Sequence, residues 1–345
     1  MERIGMVTKA AISRPIIFFG TEELSLLVLK KLIEAKYPIA AVVTKPDLTK
    51  GRGKKTIAPP VKTFAEEHDI EVWQPSKLSE ITDKIKALQP VIGVLVSFGR
   101  IIPQSTLDLF DPGIINIHPS LLPRYRGPSP IETTILNNDA EAGVTIMKLS
   151  AEMDAGPIYA QKTIDLDKYR DLHGLSDVKE NLYTSLGLLG VEMLIETLPG
   201  IISGEIPAVA QDDSQATYCH MITKQDGIID WSKPVERIAA EITAYRGWPG
   251  SSTEIAGITV RIADGTMVYP VRQESSVPGT AFIDGEQLKL KDDQDYPLLY
   301  VTAGLDSRGL QTYYQITRLQ PAGKKEMSAR DFVNGYGHLL KDLFI

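Results

Sequence analysis

The stretch IINIHPSLLPRYRGPSP, residues 114–130, places two polar side chains within an apolar strand and follows them with four prolines. In an extended strand, residues i and i+2 face the same side, so the side chains of Asn116 and His118 are expected to project together. The prolines fix backbone φ angles and predict a stiff loop after the strand. The segment therefore predicts a strand end that carries chemistry.

The sequence on both sides of this segment alternates short apolar runs with helical patterns. Strands rich in Val and Ile, separated by helical segments, are typical of βαβ units. We therefore predict an α/β fold with a doubly wound, mostly parallel sheet. The predicted strands are PIIFFG (15–20), IAAVVT (39–44) and VIGVLVSFG (91–99), and the predicted helices are LSLLVLKKLIEA (24–35), a helix beginning within APPVKTFAEEH (58–68), and residues 175–198.

The C-terminal third has a different pattern. Polar and apolar residues alternate in ITVRIADG (258–265), GTAFIDGEQLKLK (279–291) and TYYQITRLQP (312–321), with Asp-Gly and Pro-Gly turns nearby. Such alternation predicts a small antiparallel β-barrel of the OB-like type. The predicted organisation is a disordered leader over residues 1–14, with a transit peptide as the alternative, an α/β domain over 15–205, a linker over 206–220 and the β-barrel domain over 221–345.

Composition limits the class of protein. The chain has 345 residues, of which 43% are hydrophobic and 23% charged, as expected for a globular protein of about two domains. No uninterrupted apolar run reaches the roughly 18 residues of a bilayer span, which predicts no membrane partner. Cys219 is the single cysteine, so the chain has no internal disulfide. The net charge of -7 argues against a uniformly nucleic-acid-coated surface but leaves room for a local basic patch.

A third polar residue follows the next predicted strand. VTIMKLS (144–150) precedes the turn MDAGPIY (153–159), which contains Asp154. An amide and an imidazole can donate hydrogen bonds to a carbonyl oxygen that becomes negative during acyl transfer. A carboxylate near them can hold the imidazole or accept a proton through water. Taken singly, each residue also fits an ordinary strand end or turn, so the hypothesis depends on their meeting at neighbouring strand ends.

These motifs resemble those of the 10-formyltetrahydrofolate-dependent formyltransferases from about Pro15 onward. The segment Asn-x-His-x-Ser-Leu-Leu-Pro with its later aspartate is specific to that superfamily. The loop GRGKK and the segment DGIIDW are similar to those of members that formylate methionyl-tRNA. The matching segments are FFGT, VVTKPDLTKGRGKK, INIHPSLLPRYRGPSPI, GVTIMKLSAEMDAGPIY, DGIIDWSKP and LQPAGKKEMSARDFVNGY.

The resemblance implies a Rossmann-like catalytic domain, a formyl donor and a set of site residues. Asn116, His118 and Asp154 would form the catalytic triplet, with no metal. The donor, 10-formyltetrahydrofolate, would transfer its formyl group to the α-amine of initiator methionyl-tRNA. We expect a monomeric enzyme of the bacterial cytoplasm, with an organellar location as the alternative. The implied folate contacts are Ser120, Leu121, Leu122, Pro123, Phe98, Gly99, Arg100 and Ile102.

The tRNA contacts are expected on two basic regions. The connection over residues 44–62 is long for a βα loop and carries six basic residues against the single acid Asp47, which favours a mobile loop on phosphates. The C-terminal domain holds more acids than bases, so tRNA would contact a local face there. The candidates are Lys45, Lys50, Arg52, Lys54 and Lys55 in the connection, and Arg246, Arg318, Lys324 and Lys325 in the C-terminal domain.

Three other functions fit parts of the same sequence. The acceptor could be glycinamide ribonucleotide or an amino sugar nucleotide, which keeps the chemistry and changes the substrate. The formyl group could pass to water, which would make the protein a hydrolase. A catalytically silent RNA-binding protein could retain the fold, although such a protein has no physical need for Asn116, His118 and Asp154 together.

Overall fold

A computed structural model of the chain describes residues 14–50, 55–166, 178–269, 277–284 and 298–339. The chain divides into two compact units. The first consists of Met1–Pro130, Glu141–Asp165 and Glu180–His220, and the second of Ile131–Ala140, Leu166–Lys179 and Met221–Ile345. Residues 1–13, which make up nearly all of the predicted leader, lie outside the described residues.

A seven-stranded sheet forms the centre of the first unit. Its strand order is β5-β2-β1-β6-β7-β8-β9, and the first five of these strands are parallel while β8 and β9 are antiparallel to their neighbours. The predicted doubly wound, mostly parallel sheet is confirmed. The strands are β1 (Ile16–Gly20), β2 (Ile39–Val43), β5 (Glu71–Trp73), β6 (Ile92–Val96), β7 (Ile114–His118), β8 (Glu141–Lys148) and β9 (Ile158–Asp165).

Helices connect these strands, and other helices belong to the second unit. Their apolar side chains are buried, as in Val28 and Leu32, because these positions recur at helical spacing on one face. The α-helices are α1 (Glu23–Glu34), α2 (Pro60–Glu67), α3 (Thr82–Ala87), α4 (Gln104–Leu107), α5 (Pro130–Leu136), α6 (Val178–Ser203), α7 (Val235–Ala244) and α8 (Ala329–Tyr336). Short 3₁₀ helices span Leu78–Ile81, Asp213–Gln215, Gln225–Gly227 and Gly337–Leu339.

The long helix α6 is apolar enough, by length and composition, to cross a membrane. Its glycines instead bring it close to the interior of the first unit. A Cβ added at Gly190 would lie 2.5 Å from Ile117 of β7, and one at Gly187 would lie 2.6 Å from Leu24 of α1. The helix therefore packs on the sheet as a core element, which is an alternative reason for its apolar composition.

The connection between β2 and α2 contains a hairpin that the sequence did not predict. Strand β3 (Leu48–Lys50) pairs with β4 (Lys55–Ile57) in antiparallel register, with Leu48 opposite Ile57. Residues 51–54, including Arg52 and Lys54, lie outside the described residues, as do the side chains of Lys50 and Lys55. The basic composition of this segment hid the strand pattern.

The second unit contains a six-stranded antiparallel sheet, and the predicted antiparallel β domain is confirmed as a curled sheet. Its core is apolar and includes Trp231, Ile238, Leu299 and Phe332. The strand order is β10-β11-β14-β13-β12, with β15 paired to β14. The strands are β10 (Ser251–Ile255), β11 (Ile258–Val268), β12 (Ala281–Asp284), β13 (Leu298–Leu305), β14 (Gln311–Pro321) and β15 (Met327–Ser328).

Candidate active site

Strand β7 carries the two polar residues of the opening segment into the interior. It pairs with β6 on one side and with β8 on the other, so it lies inside the sheet, and all five of its residues are buried. Asn116 is 4% exposed and His118 is 5% exposed. Buried polar groups normally have hydrogen-bond partners, so the partners of these two side chains define what each can do.

The His118 imidazole lies between a backbone carbonyl and a carboxylate. Its Nε2 atom is 3.0 Å from the carbonyl oxygen of Tyr125. Because a carbonyl oxygen only accepts, Nε2 carries the hydrogen of that bond. Its Nδ1 atom is 3.8 Å from Oδ2 of Asp154, within ion-pair range but longer than a hydrogen bond. The ring is therefore fixed at Nε2, and its Nδ1 atom faces the carboxylate.

Asp154 reaches His118 by a route that differs from the predicted one. Strand β8 runs antiparallel to β7, with His118 opposite Thr145 and Ile115 opposite Lys148, so β8 ends near the start of β7. The turn after β8 then brings Asp154 back to the imidazole. The idea that the triplet lies on adjacent strand ends was wrong, because an apolar run does not specify strand direction. The predicted proximity of the two side chains nevertheless holds.

The Asp154 carboxylate is held by the loop that follows β7. Its Oδ2 atom accepts a 2.8 Å hydrogen bond from the backbone N–H of Gly127. Asp154 has a φ of 49°, in the left-handed region that non-glycine residues rarely adopt. A residue in this region persists only where its surroundings hold it, and such positions are common at functional sites.

The Asn116 carboxamide makes no side-chain hydrogen bond within the part of the chain that the structure describes, although it is almost fully buried. An amide left without a protein partner in this way is available to a ligand. Because Asn116 and His118 are two residues apart on β7, their side chains project from the same face of the strand. Strand β7 thus presents an amide and an imidazole on one face, and a carboxylate lies beside the imidazole.

The segment Phe98–Ile102 follows β6 at the same edge of the sheet. The Phe98 ring is buried against Phe19, and Ile102 is buried in the same core. The Arg100 guanidinium donates to the carbonyl oxygens of Pro75 and Ser76 at 2.7 and 2.6 Å. These three side chains are used within the fold, so the groups that this segment can offer a ligand are its backbone and the exposed side chain of Ile101.

The loop Ser120–Pro123 is fixed by a buried hydroxyl on β8. The Thr145 hydroxyl donates to the Ser120 carbonyl oxygen at 2.7 Å and accepts from the Leu122 N–H at 3.1 Å. Ser120 uses its own hydroxyl on the Arg124 carbonyl oxygen at 2.6 Å. Leu121 and Pro123 are half-buried, whereas Ser120 and Leu122 are buried. The apolar side chains open to a ligand here are thus Leu121 and Pro123.

The Lys45 side chain lies against the segment Phe98–Ile102. Its ammonium group occupies the space beside Gly99, where a Cβ atom would collide with it. Gly99 has a φ of 65°, which glycine adopts without strain. The base of the connection is instead held by Lys62, whose ammonium lies 2.9 Å from the Asp47 carboxylate, and by Gln74, which donates to the same carboxylate at 2.7 Å.

The C-terminal tRNA candidates differ in their charge partners. Arg246 lies 3.5 Å from the Asp264 carboxylate, and Arg318 lies 2.8 Å from that of Glu326. Lys324 and Lys325 are exposed in the turn between β14 and β15, where neither forms an ion pair with any described residue. The two lysines are therefore the cations of this group that remain available to an external phosphate.

Two residues that sequence reasoning missed contact the Asp154 turn directly or through one partner. Gln211 donates from Nε2 to the carbonyl oxygens of Asp154 and Gly156, and Arg126 donates to Oε1 of Gln211. No local sequence signal distinguishes a glutamine in a turn-rich segment from a solvent-exposed one. Within the described ranges, no group of three or more His, Cys, Asp or Glu side chains is arranged to hold a metal ion.

Two family models match the chain. Residues 14–185 match the model described as Formyl transferase, and residues 221–337 match the model described as Formyl transferase, C-terminal domain. Both units of the fold therefore have counterparts in one class of enzyme. The chain belongs to the formyltransferases.

Curated relatives define the family more narrowly. The methionyl-tRNA formyltransferase of Trichlorobacter lovleyi is 36% identical over 323 residues, which cover 93% of this chain and 94% of that protein. That of Geobacter metallireducens is 37% identical over 322 residues, covering 93% and 95%. The chain belongs to the methionyl-tRNA formyltransferase family, and the predicted activity and formyl-tetrahydrofolate donor are confirmed at that level.

Solved structures share the fold at lower identity. The N-formyltransferase of Helicobacter canadensis, solved with folinic acid and dTDP-3-aminofucose, is 18% identical with a TM-score of 0.59 and covers 88% of this chain and 99% of that one. HypX of Aquifex aeolicus, solved with tetrahydrofolic acid, is 17% identical with a TM-score of 0.58 and covers 95% and 47%. At these identities the likeness establishes the fold alone.

Proposed function

We propose that Asn116, His118 and Asp154 catalyse transfer of a formyl group from 10-formyltetrahydrofolate to the α-amine of initiator methionyl-tRNA. The observation that carries this proposal is the buried Asn116 carboxamide, which makes no side-chain hydrogen bond within the described residues and lies on the same strand face as the His118 imidazole. A carboxamide in that state is suited to donate to an oxygen of the substrate.

In the proposed reaction, the amine nitrogen forms a bond to the formyl carbon and the carbonyl oxygen becomes negative. The Asn116 amide N–H and a proton on Nδ1 of His118 stabilise that oxygen. We assign Nδ1 to this task because Nε2 is engaged by the Tyr125 carbonyl oxygen, whereas Nδ1 makes no hydrogen bond within the described residues. The Asp154 carboxylate, 3.8 Å from Nδ1, balances the charge of the protonated ring.

The second half of the reaction breaks the bond from the formyl carbon to N10. The amine loses one proton and N10 gains one, so the step consumes no net proton. Asp154 is the base that accepts the amine proton through water, because its carboxylate lies beside the imidazole and is turned toward it by the Gly127 N–H. The products are N-formylmethionyl-tRNA and tetrahydrofolate.

A formylation assay with Asn116→Ala tests the catalytic assignment. Removing one oxyanion donor costs about two to three powers of ten in kcat. Asn334→Ala, which removes an exposed asparagine on α8, is the matched control and should retain wild-type kcat. Wild-type kcat in Asn116→Ala would contradict the assignment of Asn116 to the oxyanion.

The acceptor is tested separately with wild-type protein. Labelled formyl donor is offered together with initiator methionyl-tRNA, elongator methionyl-tRNA, glycinamide ribonucleotide, an amino sugar nucleotide or water alone. We expect transfer to initiator methionyl-tRNA to exceed transfer to every other acceptor. Faster transfer to any of the others would identify a different substrate for the same chemistry.

We further propose that the basic connection over residues 44–62 and the turn at Lys324 and Lys325 contact tRNA phosphates. Replacing a phosphate-contacting cation by Ala reduces the slope of log(kcat/KM) against log salt by about one. We expect this reduction in Arg52→Ala and in Lys324→Ala. A smaller change is expected in Arg318→Ala, because Arg318 already pairs with Glu326. Unchanged slopes in the first two variants would remove this assignment.

We also propose a monomer that acts in the bacterial cytoplasm without a membrane partner. Light scattering coupled to size exclusion tests the oligomeric state, and the expected mass is that of one 38.0 kDa chain. Fractionation of the source cells tests the location. Recovery in the membrane fraction, or a mass of two chains, would contradict the proposal.

A further inference from the structure

The return segment, residues 206–220, lies within the first unit and contacts the chain on both sides of the candidate site. It follows α6, and its composition predicts a linker. Val209 exchanges backbone hydrogen bonds of 2.8 and 2.7 Å with Ile158, at the start of β9 just beyond the Asp154 turn. Cys219 donates its backbone N–H to the Arg126 carbonyl oxygen at 2.9 Å, in the loop after β7. The segment therefore joins the turn that carries Asp154 to the loop that holds His118.

Gln211 makes the contact with the Asp154 turn. Its Nε2 atom donates to the carbonyl oxygen of Asp154 at 2.8 Å and to that of Gly156 at 2.7 Å. Both N–H groups of the amide are therefore engaged by the backbone of one turn. Since two carbonyl oxygens can only accept, the amide end that faces the turn must be the donor end.

Arg126 fixes the opposite end of the same carboxamide. Its Nε and Nη2 atoms lie 3.0 and 2.8 Å from Oε1 of Gln211, so the guanidinium donates to it with two groups. Nη2 also contacts the carboxylate of Asp213 at 2.6 Å. The Arg126 side chain is 3% exposed. This cation, buried beside the return segment, gives the Gln211 amide a single orientation.

The backbone conformation and the position of Asp154 both require support from neighbouring residues. Asp154 adopts a left-handed φ of 49°, a strained region in which a non-glycine residue persists only where its surroundings hold it. Its carboxylate must also face Nδ1 of His118 across 3.8 Å. A displacement of the turn by 1 Å would alter that separation, and errors of this size cost about 10²-fold in rate.

We propose that Gln211 is a positioning residue that holds Asp154 in its working orientation through the backbone of the turn. The proposal rests on the proposed function, because it assigns Gln211 a role through Asp154. Gln211 is not a catalytic residue here, since its amide contacts backbone carbonyls and Arg126 rather than reacting atoms. The segment that resembles a linker thereby becomes part of the catalytic scaffold.

The test compares Gln211→Glu with Gln215→Glu in the full-length protein. Both variants add one negative charge to the return segment, but Gln215 is exposed, and its amide reaches nothing nearer than the Ser214 hydroxyl at 3.4 Å. A glutamate at 211 keeps the shape and the Arg126 contact and loses both donors to the turn. We expect kcat to fall about 10²-fold in Gln211→Glu. KM for each substrate should stay within about twofold, and Gln215→Glu should behave as wild type.

Two further measurements separate positioning from general support. Gln211→Met, which has similar length and no charge but no donor for the turn, should lose kcat in the same way. In an Asp154→Asn background, Gln211→Glu should cause no further loss, because residues that act as a unit are not additive. The acid limb of the kcat profile against pH should move in Gln211→Glu and not in Gln215→Glu.

The outcomes distinguish this inference from the proposed function. Wild-type kcat in both Gln211→Glu and Gln211→Met, with a large loss in Asp154→Asn, would overturn the positioning role and leave the catalytic triplet intact. A loss in Gln211→Glu that adds in full to that of Asp154→Asn would also overturn it. Wild-type kcat in Asp154→Asn would instead remove Asp154 from the mechanism, and with it the basis of the inference.

Discussion

Two loops leave the carboxyl edge of the same sheet and are held in different ways. The proline loop, residues 119–130, follows β7, and the basic connection, residues 44–62, follows β2. The proline loop is fixed along its length by hydrogen bonds with the buried Thr145 and His118 and with the half-buried Asp154. The basic connection is held at its base by the carboxylate of Asp47.

The difference between the two loops indicates that they have different functions at the carboxyl edge of the sheet. Formyl transfer needs donors whose positions are set before the substrate arrives, and a loop with buried hydrogen bonds provides them. Contact with phosphates depends on charge more than on fixed geometry, and a basic hairpin held at its base by Asp47 is adequate for it. Variants in the proline loop should therefore act on kcat and stability, and those in the basic connection on use of tRNA.

The largest effect is expected for His118→Ala. The variant removes the Nδ1 group that faces Asp154 and the bond from Nε2 to the Tyr125 carbonyl oxygen. Loss of one oxyanion donor costs about 10²–10³-fold in rate. Single-turnover formylation of methionyl-tRNA measures this loss. The control is His68→Ala. His68 is an exposed histidine directly after α2, and this variant should keep the wild-type rate. A rate within tenfold of wild type in His118→Ala would contradict the assigned role.

Part of this edge could be predicted from the sequence. Asn116 and His118 share a face of β7 because alternation along a strand is a local property, which the sequence displays directly. Strands β1, β2 and β6 were likewise predicted from their buried runs of Val and Ile.

The rest depends on contacts between distant parts of the chain. The apolar pattern of β8 is the same whether the strand runs parallel or antiparallel, so the route to Asp154 was predicted wrongly. Gln211 lies 57 residues from the Asp154 carbonyl that it holds, and no periodicity signals such a pair. The hairpin β3–β4 was hidden by its lysines and arginine, residue types that resemble a solvent-exposed loop.

The second largest effect is expected for Thr145→Val. This variant tests whether the Thr145 hydroxyl on β8 holds the backbone of the proline loop. Valine keeps the shape but leaves the Leu122 N–H and the Ser120 carbonyl oxygen without their buried partner. An unsatisfied buried group costs about 1–3 kcal/mol in the free energy of unfolding. Urea unfolding measures this loss, and KM for the folate should rise with it.

Thr184→Val is the matched control, because Thr184 is exposed on α6 and bonds only within its own helix. Its effect should stay within about 0.5 kcal/mol of wild type, as for most surface substitutions. Equal losses in the two variants would mean that the Thr145 hydroxyl does not hold the loop.

A smaller effect is expected for Gly99→Ala, in the segment after β6 that Lys45 of the basic connection contacts. The φ of 65° disfavours alanine by about 1–2 kcal/mol, and the new methyl group would displace the Lys45 ammonium. Gly204→Ala is the control for strain alone, since Gly204 has a φ of 79° and no other atom lies within 4 Å of the place that a methyl group would take. Both variants should lose similar stability by urea unfolding, and only Gly99→Ala should raise KM for the substrates. Unchanged KM values in Gly99→Ala would exclude a role for this segment in binding.

The smallest effect is expected for Asp47→Asn at the base of the basic connection, and it should depend on pH. Hydrogen bonds from Gln74, and then from Lys62, hold the pKa of the Asp47 carboxyl below its ordinary value. A carboxyl whose pKa is lowered by folding stabilises the fold above its unfolded pKa of about 3.9, and this contribution is lost as the pH falls through the folded pKa. We therefore compare the two proteins between about pH 5 and pH 7, where Asp47→Asn should have a lower Tm than wild type.

The Tm difference between the two proteins should be constant over that range and should shrink below about pH 4, where the carboxyl of the unfolded chain takes up its proton before that of the folded chain. Asp83→Asn, at an exposed aspartate on α3, is the control and should show no such pattern. A difference that grows on acidification would mean that Asp47 does not anchor the connection as a carboxylate. The basic connection would then lack the fixed base that distinguishes it from an unanchored loop.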